Sequence, residues 1–268
     1  MESLRKALTL VSILPRRPQE FNDRAVQGVE LRLDRLFRSR PDYHAASWES
    51  LIQDMEEYFG RVVDILSEPA LGDIEERVRQ RLKNMEHTAL FSLTWFTPIY
   101  SAGHNLARCC YLACRLLQPS IVLETGVAYG VTSAYILRAL EENGQGRLYS
   151  VELPRPGRKA NEFVGIAIPE GLKGRWNLYH GFSKRVLPKL LREVGSVDIF
   201  MQDSCHNYRC MKREFDAVWP CMRTGGMIIV DDIQENSSFS ELQERGLAFQ
   251  RVVEQADKQS LFGVAVIK

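Results

Sequence analysis

The sequence predicts an α/β protein: a doubly wound, mostly parallel seven-stranded sheet closed by a C-terminal antiparallel hairpin, preceded by a helical N-terminal region. Three observations carry this expectation. Residues 121–130, Ile-Val-Leu-Glu-Thr-Gly-Val-Ala-Tyr-Gly, read as a buried strand that breaks into a turn carrying Gly126 and Gly130, with a helix-like segment after it. Beyond Pro98, strand-like and helix-like segments alternate, the pattern of a parallel sheet wound on both faces. The last two strand candidates, 247–254 and 261–267, are joined by only a few residues around Asp257-Lys258. So short a connection cannot make a parallel crossover, and the two must pair antiparallel.

Along the chain, Arg5 and Lys6 precede Ala7–Leu14, a short apolar stretch that imitates a secretory signal. It lacks a small-residue cleavage site, and Pro15-Arg16-Arg17-Pro18 follows at once, so an ordered helix or strand is expected there. Arg24–Arg38, Trp48–Leu66 and Asp73–Met85 show apolar residues at helical spacing among many charges; Ile74, Val78, Leu82 and Met85 mark one such face. Residues 1–98 are therefore expected to form a helical appendage, a lid or an oligomerisation element, and 99–268 the sheet domain. Strands are expected near 120–124, 147–151, 176–179, 197–202 and 226–230, with helices between them and a helix-like Phe239–Arg245 before the hairpin. Thr132 and Ser133 stand where they can satisfy the first free amides of the helix after the glycine turn.

The 268 residues include 45% hydrophobic and 26% charged side chains, with a net charge of +1, values ordinary for a globular enzyme. This balance offers no general attraction for nucleic acid or an anionic membrane, and no apolar run nears the roughly 20 residues that cross a bilayer. Six cysteines form no CxxC pair, and Cys109, Cys110 and Cys114 fall in an apolar helical segment, so neither a disulfide framework nor a structural zinc site is expected. A reduced, cytoplasmic protein follows from that usage.

Chemistry concentrates at strand ends. Glu152 closes Leu148-Tyr149-Ser150-Val151-Glu152, beside the glycine turn, where a carboxylate can accept hydrogen bonds from two ribose hydroxyls. By itself this does not separate NAD from S-adenosylmethionine. The turn Gly126-Val127-Ala128-Tyr129-Gly130 lacks the GxGxxG spacing that brings a pyrophosphate to a helix N-terminus, so a ligand without phosphates fits better. After the third strand, His180-Gly181-Phe182-Ser183 offers a ring for stacking and a hydroxyl for hydrogen bonding, or simply a helix cap. The fourth strand ends at Asp203 and the fifth at Asp231-Asp232. Adjacent strands of an open sheet point their carboxyl ends into one crevice, and three carboxylates gathered there invite a divalent cation, most plausibly Mg²⁺. The alternative is that some of them cap the following helices. His206 lies three residues past Asp203 and is placed to take a proton near neutral pH.

With these residues in hand, the chain resembles the class I S-adenosylmethionine-dependent methyltransferases over roughly residues 100–268. The resemblance rests on Val122-Leu123-Glu124-Thr125-Gly126 with Gly130, Leu148–Glu152, Gly181-Phe182-Ser183, Val197–Tyr208, Gly225-Gly226-Met227-Ile228-Ile229-Val230-Asp231-Asp232 and the terminal hairpin. Within that class it is similar to the metal-dependent O-methyltransferases of the catechol, caffeoyl, macrolide-sugar and cephalosporin-tailoring kinds. The resemblance implies a Rossmann-like fold, S-adenosylmethionine held by Glu124, Gly126, Gly130, Thr132, Glu152, Phe182, Ser183 and Asp203, and Mg²⁺ held by Asp203, Asp231 and Asp232. It implies His206 as general base for a small-molecule hydroxyl acceptor, with Glu124 supporting the cofactor's methionine end indirectly. Catechol-type enzymes carry a lysine where this chain has His206, which favours the sugar-tailoring kind. A homo-oligomer acting on neither nucleic acid nor membrane is expected. The competing readings are a metal-independent methyltransferase with His206 as sole base, a nicotinamide-dependent dehydrogenase, and a catalytically silent binding module.

Overall fold

The computed structural model describes residues 14–15, 17–36, 41–86, 103–153, 160–255 and 258–268. Seven strands form one sheet: β1 (Ile121–Thr125), β2 (Arg147–Glu152), β3 (Trp176–His180), β4 (Val197–Gln202), β5 (Met222–Val230), β6 (Leu247–Gln255) and β7 (Ser260–Ile267). Their order is β3-β2-β1-β4-β5-β7-β6. β1 to β5 pair parallel, and β7 runs antiparallel between β5 and β6. Every expected strand is present, and the short connection forces the hairpin as the chain length requires.

The helices are α1 (Pro18–Leu36), α2 (Trp48–Phe59), α3 (Pro69–Glu86), α4 (His104–Leu117), α5 (Val131–Glu142), α6 (Ser183–Val194) and α7 (Tyr208–Val218). Capping residues fix several ends. Ser47 accepts the Ser50 amide at the start of α2, and Gly60, at φ +61°, closes it in the left-handed region. Asn207 accepts the Cys210 amide at the start of α7. The segment Phe239–Arg245, expected to be helical, is a 3₁₀ turn over Ser240–Arg245.

The two faces of the sheet follow the period-two alternation of its strands. Val122, Ile199, Met201, Met227 and Ile229 face a core shared with α2, α3, α4 and α5. Leu123, Phe200, Ile228 and Val230 face the other way, onto α6 and α7. Leu51 and Met55 of α2 and Ile74 and Val78 of α3 lie in the first of these cores, so these helices are packed against the sheet domain. α1 is held differently, by ion pairs from Asp23 to Arg185, Glu30 to Arg213 and Asp34 to Arg209, across α6 and α7. The boundary expected at 98/99 lies outside the described residues, as does the expected apolar stretch Ala7–Leu14 apart from Leu14 itself. Among the described residues, no helix is long and apolar enough to cross a membrane.

Cys109, Cys110 and Cys114 are buried thiols in α4, as their apolar setting indicates. Cys205 and Cys210, expected to be reduced, instead form a disulfide with Cα atoms 6.2 Å apart. The reason is local: Asn207 turns the chain into α7, and its first turn brings Cys210 back over Cys205.

Candidate active site

The carboxyl ends of β1, β2, β4 and β5 stay in register beyond the last ladder bonds. Gly126 N–H donates to Val151 O at 2.9 Å, Asp203 N–H to Thr125 O at 2.8 Å, and Asp231 N–H to Gln202 O at 3.0 Å. The glycine turn, the Asp203 loop and Asp231 therefore sit side by side at one edge of the sheet.

Gly126 adopts φ +86°, and a Cβ there would lie 1.9 Å from the Asp203 carbonyl oxygen. Gly130, at φ +81°, is crossed by Gly165 and Ile168, and a Cβ would come within 2.8 Å of Gly165 Cα. Both glycines are thus demanded by backbone approach as well as by torsion. Residues 163–168 cover the turn, with Gly165 N–H bonded to Ala128 O and Ala167 N–H to Tyr129 O.

Glu152 reaches the turn from β2, where one carboxylate oxygen accepts Val127 N–H at 2.6 Å and Ala128 N–H at 3.2 Å. Glu124 is fully buried and accepts three hydroxyls, from Thr132 at 2.9 Å, Ser133 at 2.7 Å and Ser150 at 2.7 Å. Thr132 and Ser133, expected to cap α5, tie its first turn to β1 and β2 instead. Burial pushes the Glu124 carboxyl up to about 7, against the pull of those three donors. Glu124 thus braces the turn from beneath.

Phe182 is buried against Cys205, Cys210 and Leu153, and the Arg213 guanidinium lies 5.3 Å from its ring centroid. Ser183 is buried in the first turn of α6 and does not cap it.

The acidic cluster forms as the strand ends require. His206 Nε2 faces Asp203 Oδ1 at 3.6 Å and Asp232 Oδ2 at 3.7 Å. Its Nδ1 is buried with no hydrogen-bond partner among the described residues. Donor atoms of Asp203, His206 and Asp231 lie within 4.8 Å of one another, two carboxylate oxygens and one imidazole nitrogen that could hold a divalent cation; Asp232, expected as the third ligand, is not part of this close group. Asp232 adopts φ +50°, a left-handed conformation that turns it out of the strand. Removal from water and then the neighbouring Asp231 push the Asp203 carboxyl well above its ordinary range, while Lys258 pulls it down.

Three residues of this region carry little or no sequence signal. Lys258 donates to Asp231 Oδ2 at 2.7 Å, and Gln255 Nε2 donates to Asp231 Oδ1 at 2.6 Å. Burial lowers the Lys258 pKa, but Asp231, Asp232 and Asp203 outweigh it and leave it above the usual lysine value. Glu214 of α7 is buried beneath the loop, accepting Thr125 Oγ1 at 2.9 Å, Ser204 Oγ at 2.8 Å and Gln202 Nε2 at 3.3 Å. Its place on the apolar stripe of α7, one residue before Phe215, is the one clue the sequence offers.

Residues 123–233 match a family model described as a methyltransferase domain. The O-methyltransferase from Bacillus cereus, solved in complex with SAH, is 14% identical with a TM-score of 0.54, the match covering 82% of this chain and 98% of that one. The O-methyltransferase TomG from Streptomyces achromogenes, involved in tomaymycin synthesis and solved in complex with SAM, is 17% identical with a TM-score of 0.53, covering 83% of this chain and 99% of that one. The SAH-bound methyltransferase PaMTH1 of Podospora anserina is 11% identical with a TM-score of 0.53, covering 85% and 100%. No curated protein matches the chain. At these identities the likeness is one of fold. The matched methyltransferase domain, residues 123–233, runs from β1 to the end of β5 and so contains the glycine turn, Glu152, Asp203, His206 and Asp231-Asp232.

Proposed function

We propose that the chain transfers the methyl group of S-adenosylmethionine to a hydroxyl of a small molecule, such as a sugar or natural-product moiety, with a divalent cation, Mg²⁺, at Asp203, Asp231 and Asp232. The observation that carries this reading is the placing of His206 Nε2 between the carboxylates of Asp203 and Asp232, on the loop hydrogen-bonded to the end of β1.

S-adenosylmethionine, when bound, supplies a methyl already activated by its sulfonium, so the protein's main task is alignment. A cation would supply the positive charge that favours an ionised acceptor oxygen. The chain's residues do the rest. Glu152 and the amides it holds fix the turn on which the donor lies. Asp203 and Asp232 flank His206 and orient its ring. His206 takes the acceptor proton as the methyl passes from sulfur to oxygen, leaving S-adenosylhomocysteine and the methyl ether.

A metal-independent transferase with His206 as sole base is a second reading, favoured by the Lys258 ammonium already beside Asp231 and Asp232. An acceptor screen of sugar and phenolic hydroxyls with S-adenosylmethionine, run with Mg²⁺ and after exhaustive EDTA treatment, tests both. Turnover that needs Mg²⁺ supports the first reading, and turnover indifferent to EDTA supports the second. Failure of S-adenosylmethionine to bind would defeat both.

A further inference from the structure

The turn joining β6 to β7 brings a cation to the acidic cluster from a part of the chain far from the loops that build it. Lys258 Nζ stands 2.7 Å from Asp231 Oδ2 and 3.7 Å from Asp232 Oδ1. Asp231 is the most enclosed member of the cluster, its side chain 2% exposed. Its other oxygen is taken by Gln255, whose amide also reaches Ser260 at 3.0 Å. Both oxygens of the buried carboxylate are therefore engaged by donors from the hairpin.

These two donors differ in how easily they leave. Gln255 and Ser260 are paired across the end of the β6–β7 ladder, so the Gln255 side chain is fixed by the sheet. Lys258 lies in the turn itself, 29% exposed, on a four-carbon stem that can swing into water. A hard ion needs bare oxygen ligands, and an ammonium has hydrogen-bond donors but no acceptor. It cannot share the Asp231 Oδ2 position with a metal at close range, because the two cations repel.

We propose that Lys258 is a built-in competitor for the metal position: its ammonium occupies the Asp231–Asp232 edge of the cluster, and a divalent ion binds there by displacing it. This inference rests on the divalent-cation reading given above. Its consequence is a weakly binding site in the protein alone, with metal affinity set by the β6–β7 turn as well as by the carboxylates. Lys258 thus sets the affinity of the metal site.

Direct Mn²⁺ binding tests this apart from catalysis, by calorimetry and by loss of the free-ion electron paramagnetic resonance signal. Lys258→Met is expected to bind Mn²⁺ about tenfold or more tightly than the unmodified chain. Lys258→Arg, which keeps the charge, is expected to remain as weak as the unmodified chain. Circular dichroism melting identifies variants that fold, and Lys258→Gln serves as a second neutral variant if Lys258→Met does not. Equal Mn²⁺ affinity in the unmodified and neutral chains overturns the competition while leaving the metal reading intact. Absence of Mn²⁺ binding in every form overturns both.

Discussion

The Glu152 carboxylate at the end of β2 accepts the Val127 amide at 2.6 Å, and with the Gly126 N–H to Val151 O bond it joins the second strand to the turn that follows the first. A carboxylate bonded to backbone N–H groups in a site of low water content is both a strong and a directional acceptor. Glu152→Ala removes it and frees the Val127 and Ala128 amides. S-adenosylmethionine affinity measured by calorimetry should fall by about tenfold or more, the equivalent of one charged hydrogen bond. An unchanged dissociation constant would remove Glu152 from the cofactor site.

Gly126 makes the second prediction. Alanine there must accept φ +86° and place its Cβ 1.9 Å from the Asp203 carbonyl oxygen, an overlap with backbone that no rotamer can relieve. Left-handed torsion alone costs about 1 kcal/mol, and displacing the Asp203 loop adds to it. Gly126→Ala should therefore lose about 3 kcal/mol or more of unfolding free energy in urea. It should lose cofactor and Mn²⁺ binding together, because both loops have to move apart. A fully stable variant would contradict the close approach of the two loops.

Glu124 gives a pH signature. Its carboxyl is raised to about 7 in the folded protein, against an ordinary value near 4.5. The folded state then holds the proton more tightly than the unfolded chain. The stability this contributes is fully present below about pH 4.5 and is lost as pH rises through about 7, a change on the order of 3 kcal/mol. Glu124→Gln keeps the shape and removes the titration. The difference in unfolding free energy between the two proteins, followed by urea denaturation from pH 5 to 8, should therefore move in favour of the variant as pH rises. A difference that stays flat over that window would show that Glu124 is not held protonated by its surroundings.

What the sequence reveals of this site divides by distance along the chain. The glycine turn, Glu152, Asp203, His206 and the paired Asp231-Asp232 all sit at strand ends, and an alternating pattern locates strand ends well. Their convergence follows from a parallel sheet's geometry, without knowledge of any side-chain contact. The roles of Thr132 and Ser133 are misread because local reasoning offers them the helix amides. The buried Glu124 is a stronger competitor, and its burial is a tertiary fact. The setting of Phe182 is likewise a tertiary fact, since Arg213 comes to its ring from α7. Lys258 is the extreme case. It stands in a turn of ordinary composition, and only the antiparallel return of β7 beside β5 carries it to Asp231.

Asp203 and His206 share a loop, yet their removal should have separable effects. The Asp203 backbone N–H holds Thr125 O at 2.8 Å, so the path of the loop survives loss of the side chain. Asp203→Ala should therefore abolish Mg²⁺-dependent turnover while changing S-adenosylmethionine affinity little. His206 meets the cluster through Nε2 alone, and its removal leaves all three carboxylates in place. His206→Ala should lower kcat by roughly 10²- to 10⁴-fold, the range for loss of a general base, with cofactor and Mn²⁺ binding retained. Added imidazole should restore part of that loss, because the space of the ring is open to a small base. The two variants are compared by cofactor and Mn²⁺ calorimetry alongside steady-state turnover. Loss of Mn²⁺ binding in His206→Ala would recast the ring as a ligand, a role its position within 4.8 Å of the Asp203 and Asp231 donors permits. Full turnover in Asp203→Ala would instead remove the cation from the reaction and leave His206 to act unaided.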